Sequence, residues 1–187
     1  MRAFVGYFTT KGIYEHVEKL KEETKGYLKG KWIEPQNLHV TFQFLGDISQ
    51  EQAVGVLKNL QQIAEKYTPF KVQYRSLGVF PDRKRPRILW MGVSRGENKL
   101  KRIANEVAKL NRNAGVRVDS KPFHPHVTIC RIKEVDRKKL GGLMNRYRSF
   151  NFGEEVVDRI ALISSSLTSI GPIYSVVEEF YFRRKAD

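Results

Sequence analysis

The run NLHVTFQFLGDISQEQ (37–52) decides the fold, because FHPHVTICRIKEVDRKKL (123–140) repeats its pattern. Each contains His-Val-Thr, continues as a strand, and passes a short turn into a helix-capping residue, Ser49 or Asp136. Ser49 with Gln52 has the spacing of a capping box. His126 follows His39 by 87 residues, so the chain is built from two similar units.

Working outward, residues 2–9 are aromatic and β-branched and predict a strand. Residues 11–28 carry Ile13, Val17, Leu20 and Leu28 on one helical stripe. After the strand at 38–45, the helix opened by Ser49 places Val56, Leu57, Leu60, Ile63 and Ala64 at helical spacing. Residues 70–80 and 87–93 predict two strands around a Pro- and Arg-rich loop. Residues 97–113 form a second long amphipathic helix, closed by Gly115. A short strand at 116–119, a strand at 126–132 and a helix from Asp136 follow. Residues 156–168 and 173–182 close the chain as two strands around Gly171-Pro172.

No linker or low-complexity tract divides residues 1–187, so a single bilobal α+β domain is expected. Its two pseudo-symmetric lobes would each pack helices on the outer face of an antiparallel sheet, with a cleft between them.

The composition narrows the partner. Lys and Arg number 34 against 20 Asp and Glu, a formal net charge of +14. An excess of this size favours polyanions. One cysteine, Cys130, excludes a disulfide framework. No stretch approaches the roughly 18–20 apolar residues of a membrane span. The N-terminal MRAFVGYFTTKG turns polar too soon for a signal peptide. A cytoplasmic, nucleic-acid-facing monomer without a membrane partner is expected.

The four histidines are His16, His39, His124 and His126. On a strand, His39 and Thr41 share one face while Val40 and Phe42 share the other. His126 and Thr128 stand likewise against Val127 and Ile129. The apolar pairs anchor each strand, and the opposite faces can meet across one cleft. Two imidazoles facing one phosphate can act as acid and base, since histidine titrates near neutrality. The threonine hydroxyls can bind the non-bridging oxygens. This chemistry needs no metal or other cofactor. A single His-x-Thr is an ordinary polar strand face. Two copies in matching contexts point to a site.

These motifs resemble the two-histidine (2H) phosphoesterase superfamily, and within it the RNA 2′,3′-cyclic phosphodiesterases, historically called 2′-5′ RNA ligases. The similarity extends to FPDRKRPRILWMGV (80–93), FHPHVTICR (123–131) and L-x-S-x-x-G-P-I-Y within 167–182. It implies hydrolysis of a terminal RNA 2′,3′-cyclic phosphate to a 2′-phosphomonoester, tRNA fragments being one possible substrate. It also implies that His39 donates a proton to the leaving oxygen and that His126 activates water. The two motifs are nearly equivalent, so sequence alone leaves that assignment open. The reverse reaction would join the cyclic end to a 5′-hydroxyl. A non-catalytic RNA-binding module and a small cyclic-nucleotide phosphodiesterase are the alternatives.

Other residues carry weaker signals. Arg131 follows the second motif where the family also carries Arg and could clamp phosphate, but simple alternation puts it opposite His126 unless a bulge intervenes. Alternation places Cys130 beside His126, where a small strand residue is expected rather than a nucleophile. His124 shapes the loop entering the strand, and His16 belongs to a helix surface. Arg83, Lys84, Arg85 and Arg87 form a cationic loop between strands of the lobe expected to hold His39, suited to RNA phosphates. The segment GYLKGKW (26–32) fails the phosphate-loop pattern. Ser164–Ser166 lack the glycines of a nucleophile elbow.

Overall fold

The computed structural model describes residues 1–185. In chain order the elements are β1 (Arg2–Phe8), α1 (Tyr14–Thr24), β2 (Leu28–Trp32), β3 (His39–Asp47), α2 (Gln50–Lys66), β4 (Phe70–Phe80) and β5 (Ile88–Val93). Then come α3 (Glu97–Asn113), β6 (His126–Val135), α4 (Arg137–Arg146), β7 (Asn151–Val157), β8 (Arg159–Thr168) and β9 (Gly171–Tyr181). Single 3₁₀ turns precede α1 and β3.

The strands form two antiparallel sheets, ordered β3-β1-β8-β9 and β2-β6-β5-β4-β7. Helices α2 and α3 pack together against the first sheet, and α4 packs against β4 of the second. Helix α1 lies beside α4, where Glu23 accepts from Arg146 Nη2 at 2.8 Å and from the Tyr147 hydroxyl at 2.6 Å. One continuous apolar core runs under both sheets.

The capping residues act as expected. Ser49 Oγ accepts from the Gln52 amide at 3.1 Å, and Gln52 Oε1 accepts from the Ser49 amide at 2.9 Å. Asp136 Oδ1 accepts from the Lys139 amide at 3.1 Å. Gly115, at φ +78°, ends α3 in the left-handed conformation that glycine tolerates.

The lobes are not the sequence halves. The first sheet takes β1 and β3 from the first half and β8 and β9 from the second. The second sheet takes β2, β4 and β5 from the first half and β6 and β7 from the second. Each sheet is thus woven from strands of both repeats. This corrects the expected position of the cationic loop. Strand β5 pairs with β6 through Leu89↔Cys130 and Gly92↔His126, and β4 lies beyond it, so the loop belongs to the lobe of His126.

Three further expectations change. Helix α1 stops at Thr24, whose hydroxyl turns back to the Leu20 carbonyl at 2.8 Å, and residues 28–32 pair with β6 as an edge strand. Residues 116–119 form no strand. The run expected at 156–168 breaks at Asp158: β7 ends on β4 of the second sheet, and β8 begins on β9 of the first.

Candidate active site

The motif strands face each other, β3 from the first sheet and β6 from the second. Val40 and Val127 are fully buried in the core, as is Ile129, while Phe42 is buried at its edge. His39, Thr41, His126 and Thr128 are half-buried on the opposite faces, as the alternation requires.

Both strands then break alternation at the same place. Between β1 and β3, Val5 pairs with Gln43 and Gly6 with Thr41, leaving Phe42 as an extra residue. Between β5 and β6, Leu89 pairs with Cys130 and Trp90 with Thr128, leaving Ile129 as an extra residue. Each is a β-bulge that returns the chain to the other face one residue early.

The second bulge settles two sequence expectations. It turns Cys130 into the core, fully buried, and brings Arg131 out on the face of Thr128. Cys130 is thus not beside His126 on the cleft face. Burial pushes its thiol up to about 12, so it stays protonated at neutral pH and is no nucleophile. Arg131 is exposed on the cleft face, and its charge acts on His39 and on Tyr174 of β9.

The two imidazoles are held in the same way. His39 Nδ1–H donates to the Asn37 carbonyl at 2.6 Å, and His126 Nδ1–H donates to the His124 carbonyl at 2.6 Å. A carbonyl can only accept, so each Nδ1 carries the proton. Each Nε2 has no protein partner among the described residues, and is free to accept a proton when the ring is neutral and to donate one when it is charged.

Burial holds both histidines below their usual range. The carbonyl bonds oppose this in each case. For His39, the positive forms of His126 and Arg131 lower it further; for His126, His124 does so. A charge on one ring of the pair therefore disfavours a charge on the other.

Aromatic rings fix each imidazole. His39 lies 4.8 Å from Phe4, 5.2 Å from Tyr174 and 6.2 Å from Phe8. His126 lies 5.0 Å from Phe80, 6.0 Å from Trp90 and 6.3 Å from His124. These aromatics carry little sequence signal for this role. Phe80, Trp90 and Tyr174 fall in segments that resemble the family, but nothing there marks them as neighbours of a histidine. His124 contributes its carbonyl and its ring at the loop entering β6, matching its expected role.

The cationic loop lies at the rim of the second sheet. Asp82 Oδ1 accepts from the Lys84 and Arg85 amides at 2.8 and 2.9 Å, and Arg137 donates to the Lys84 carbonyl at 3.0 Å. The Arg83, Lys84, Arg85 and Arg87 side chains are exposed and make no ion pair among the described residues. They are not among the residues gathered at His39 and His126. His16 lies apart, packed on Phe150 and Phe152 at 5.4 and 5.6 Å. Among the described residues no group of three or more His, Cys, Asp or Glu side chains could hold a metal ion. Nor is any described helix long and apolar enough to cross a membrane.

Comparison with known proteins agrees with this geometry. The family described as LigT like phosphoesterase matches the chain twice, at residues 8–90 and 92–174. A protein of Aquifex aeolicus named RNA 2′,3′-cyclic phosphodiesterase is 59% identical over 182 residues, covering 97% of both chains. One of the same name from Archaeoglobus fulgidus is 34% identical over 180 residues, covering 96% of this chain and 99% of the relative. A solved structure from Thermus thermophilus superposes with a TM-score of 0.81 at 25% identity over the whole of both chains. Escherichia coli LigT complexed with 3′-AMP shares the fold, with a TM-score of 0.77 at 21% identity over 98% of each chain. With two matched repeats, two bulged motif strands and two equally tethered imidazoles, the chain belongs to the LigT-like phosphoesterases, the two-histidine family that its sequence resembles.

Proposed function

We propose that this protein hydrolyses RNA 2′,3′-cyclic phosphate ends to 2′-phosphomonoesters through the paired imidazoles of His39 and His126. The observation that carries this reading is the matched tethering of both Nδ1 atoms, which leaves two Nε2 atoms for one phosphate. The names of the relatives from Aquifex aeolicus and Archaeoglobus fulgidus support the substrate.

The cyclic phosphate sits between the motif strands. One neutral imidazole, His126, takes a proton from water as the oxygen attacks phosphorus. The other, His39 as imidazolium, gives its proton to the departing 3′ oxygen. Charge grows on the non-bridging oxygens, and Thr41, Thr128 and Arg131 oppose it. Each proton-transfer role is worth about 10²–10⁴ in rate. The acid follows from geometry only as one of the pair, and the family likeness assigns it to His39. Exchanging water for a 5′-hydroxyl would join two RNA ends through a 2′-5′ linkage. Hydrolysis should dominate in dilute solution, where water far outnumbers RNA ends.

The test is release of a 2′-phosphate end from an oligoribonucleotide closed by a 2′,3′-cyclic phosphate, with EDTA present. His39→Ala and His126→Ala should each lower kcat by at least about 10². Wild-type turnover by either variant would refute the two-histidine mechanism. Tight RNA binding without any turnover would favour a binding module instead.

A further inference from the structure

Strand β2 was not expected from sequence, and it carries a cation into the cleft. In its pairing with β6, Lys29 stands opposite Glu134, so one charge balances the other. Lys31 stands opposite Arg131. Residues directly opposed on an antiparallel pair share a face, and like charges there are destabilising. The neighbouring Gly30 fixes which face this is: a Cβ there would lie 3.0 Å from Cys130 Sγ, on the core side. Lys31 therefore lies on the cleft side with Arg131. Both are exposed, and neither makes an ion pair among the described residues.

The Lys31 ammonium also crosses to the other sheet. It donates to the Ile170 carbonyl at 3.1 Å, at the tip of the β8–β9 hairpin. Gly171 leaves room for it, since a Cβ there would lie 2.6 Å from Nζ. Lys31 thus stands one strand spacing, about 4.8 Å, beyond Arg131 and away from the reacting centre.

We propose that Lys31, with the Arg131 guanidinium shared between it and the reacting phosphate, forms a second phosphate subsite, which holds the phosphate on the 5′ side of the terminal nucleotide. This assignment rests on the cyclic phosphodiesterase reading. An RNA chain that ends in a 2′,3′-cyclic phosphate has no nucleotide beyond it. Any second phosphate near the cleft must therefore lie on the 5′ side. An anion placed between Lys31 and Arg131 removes their mutual repulsion and turns an unfavourable pair into a clamp.

The experiment compares adenosine 2′,3′-cyclic phosphate with the same compound bearing a 5′-phosphate, using wild-type protein, Lys31→Gln, Lys31→Ala and Lys31→Arg. Wild-type KM should be lower for the 5′-phosphorylated substrate. Lys31→Gln and Lys31→Ala should raise that KM about five- to tenfold, the loss of one charge-assisted contact, with kcat little changed. Neither should alter KM for the compound without the 5′-phosphate, and Lys31→Arg should restore most of the difference. On oligoribonucleotides the salt slope of log KM should fall by about 0.7, the share of one phosphate on a single strand.

Lys31→Gln keeps a donor for the Ile170 carbonyl while removing the charge. If it behaves as wild type, or if the variants change both substrates equally, Lys31 only ties the hairpin tip and the subsite is refuted. If wild-type protein opens neither compound, the catalytic reading falls instead. Binding of adenosine 3′-phosphate with and without a 5′-phosphate to wild type and Lys31→Gln then decides the subsite: equal discrimination by both proteins refutes it.

Discussion

Glu155 of β7 offers a test of what holds the two sheets at a fixed separation. The Tyr74 hydroxyl on β4 donates to Glu155 Oε1 at 2.6 Å and accepts from the Tyr7 hydroxyl on β1 at 3.0 Å. The Thr10 amide donates to Glu155 Oε2 at 2.6 Å. Tyr7, Tyr74 and Glu155 are all buried, so this chain joins the first sheet to the second away from water. Glu155→Ala leaves two donors, the Tyr74 hydroxyl and the Thr10 amide, without an acceptor. At about 1–3 kcal/mol for each orphaned donor, the buried Tyr74 hydroxyl and the part-buried Thr10 amide together should cost about 2–6 kcal/mol. Glu155→Gln supplies one oxygen where two are used. Tyr74 can turn its proton towards Tyr7, but the Tyr7 hydroxyl then has no acceptor. One donor is orphaned either way, costing about 1–3 kcal/mol. Tyr7→Phe removes only the outer donor and should cost about 1 kcal/mol or less. Urea denaturation, read from midpoints at constant slope, measures the order Ala above Gln above Phe. Because β1 also places Tyr7 beside Val40 and Phe8 beside His39, kcat should fall in the same order. A Glu155→Ala variant within about 0.5 kcal/mol of wild type would refute the reasoning, as would a Tyr7→Phe variant as costly as Glu155→Ala.

Other outcomes follow from the site. Burial lowers both histidines, so the bell of kcat/KM, which reports the free protein, should centre below the ordinary histidine value of about 6.5 and be falling by pH 7. The bell of kcat should lie higher, because bound phosphate stabilises an imidazolium; a kcat/KM still rising from pH 7 to 8 would contradict this. The same depressed values mean that the unfolded chain binds more protons below about 6.5, so the histidine contribution to stability is lost as pH falls through that window. Gly78→Ala would place a Cβ 2.1 Å from the Trp90 ring, which packs against Phe80 at 5.0 Å and His124 at 4.8 Å. It should cost about 1–3 kcal/mol in a thermal melt and lower kcat, whereas Gly26→Ala, with nothing within 4 Å, should do neither. Cys130→Ala should retain turnover, and thiol reagents should leave native wild type active. Replacing Arg83, Lys84, Arg85 and Arg87 with Gln should raise KM for longer RNA and leave a dinucleotide nearly unchanged, measured side by side.

The sequence made the site legible through pairs. His39 with Thr41 and His126 with Thr128 stand out because a period of two is a local property, and it survives wherever the strand is placed. Both capped helices are legible for the same reason, since Ser49 and Asp136 satisfy amides three residues away. What fails depends on distant partners. Residues 28–32 hold two lysines and a glycine, and become a strand only because β6 offers an edge. The bulges at Phe42 and Ile129 leave no mark in composition, yet the second decides that Arg131 reaches the cleft face and Cys130 does not. The cationic loop falls to the wrong lobe when proximity in sequence is taken for proximity in space.

The mixed parentage of the two sheets also sets an order for assembly. Strand β1 pairs with β8 through Ala3↔Ser164 and Val5↔Leu162, so the earliest strand waits for one of the last. Neither half of the polypeptide can complete a sheet alone, and a ribosome must release most of the chain before the first sheet closes. Two copies of a single repeat, turned about a twofold axis, could in principle satisfy one another as the two halves do here. The molecule has the logic of an exchanged dimer written as one polypeptide, and a cut in the loop between β5 and α3 should yield fragments that gain structure only on mixing.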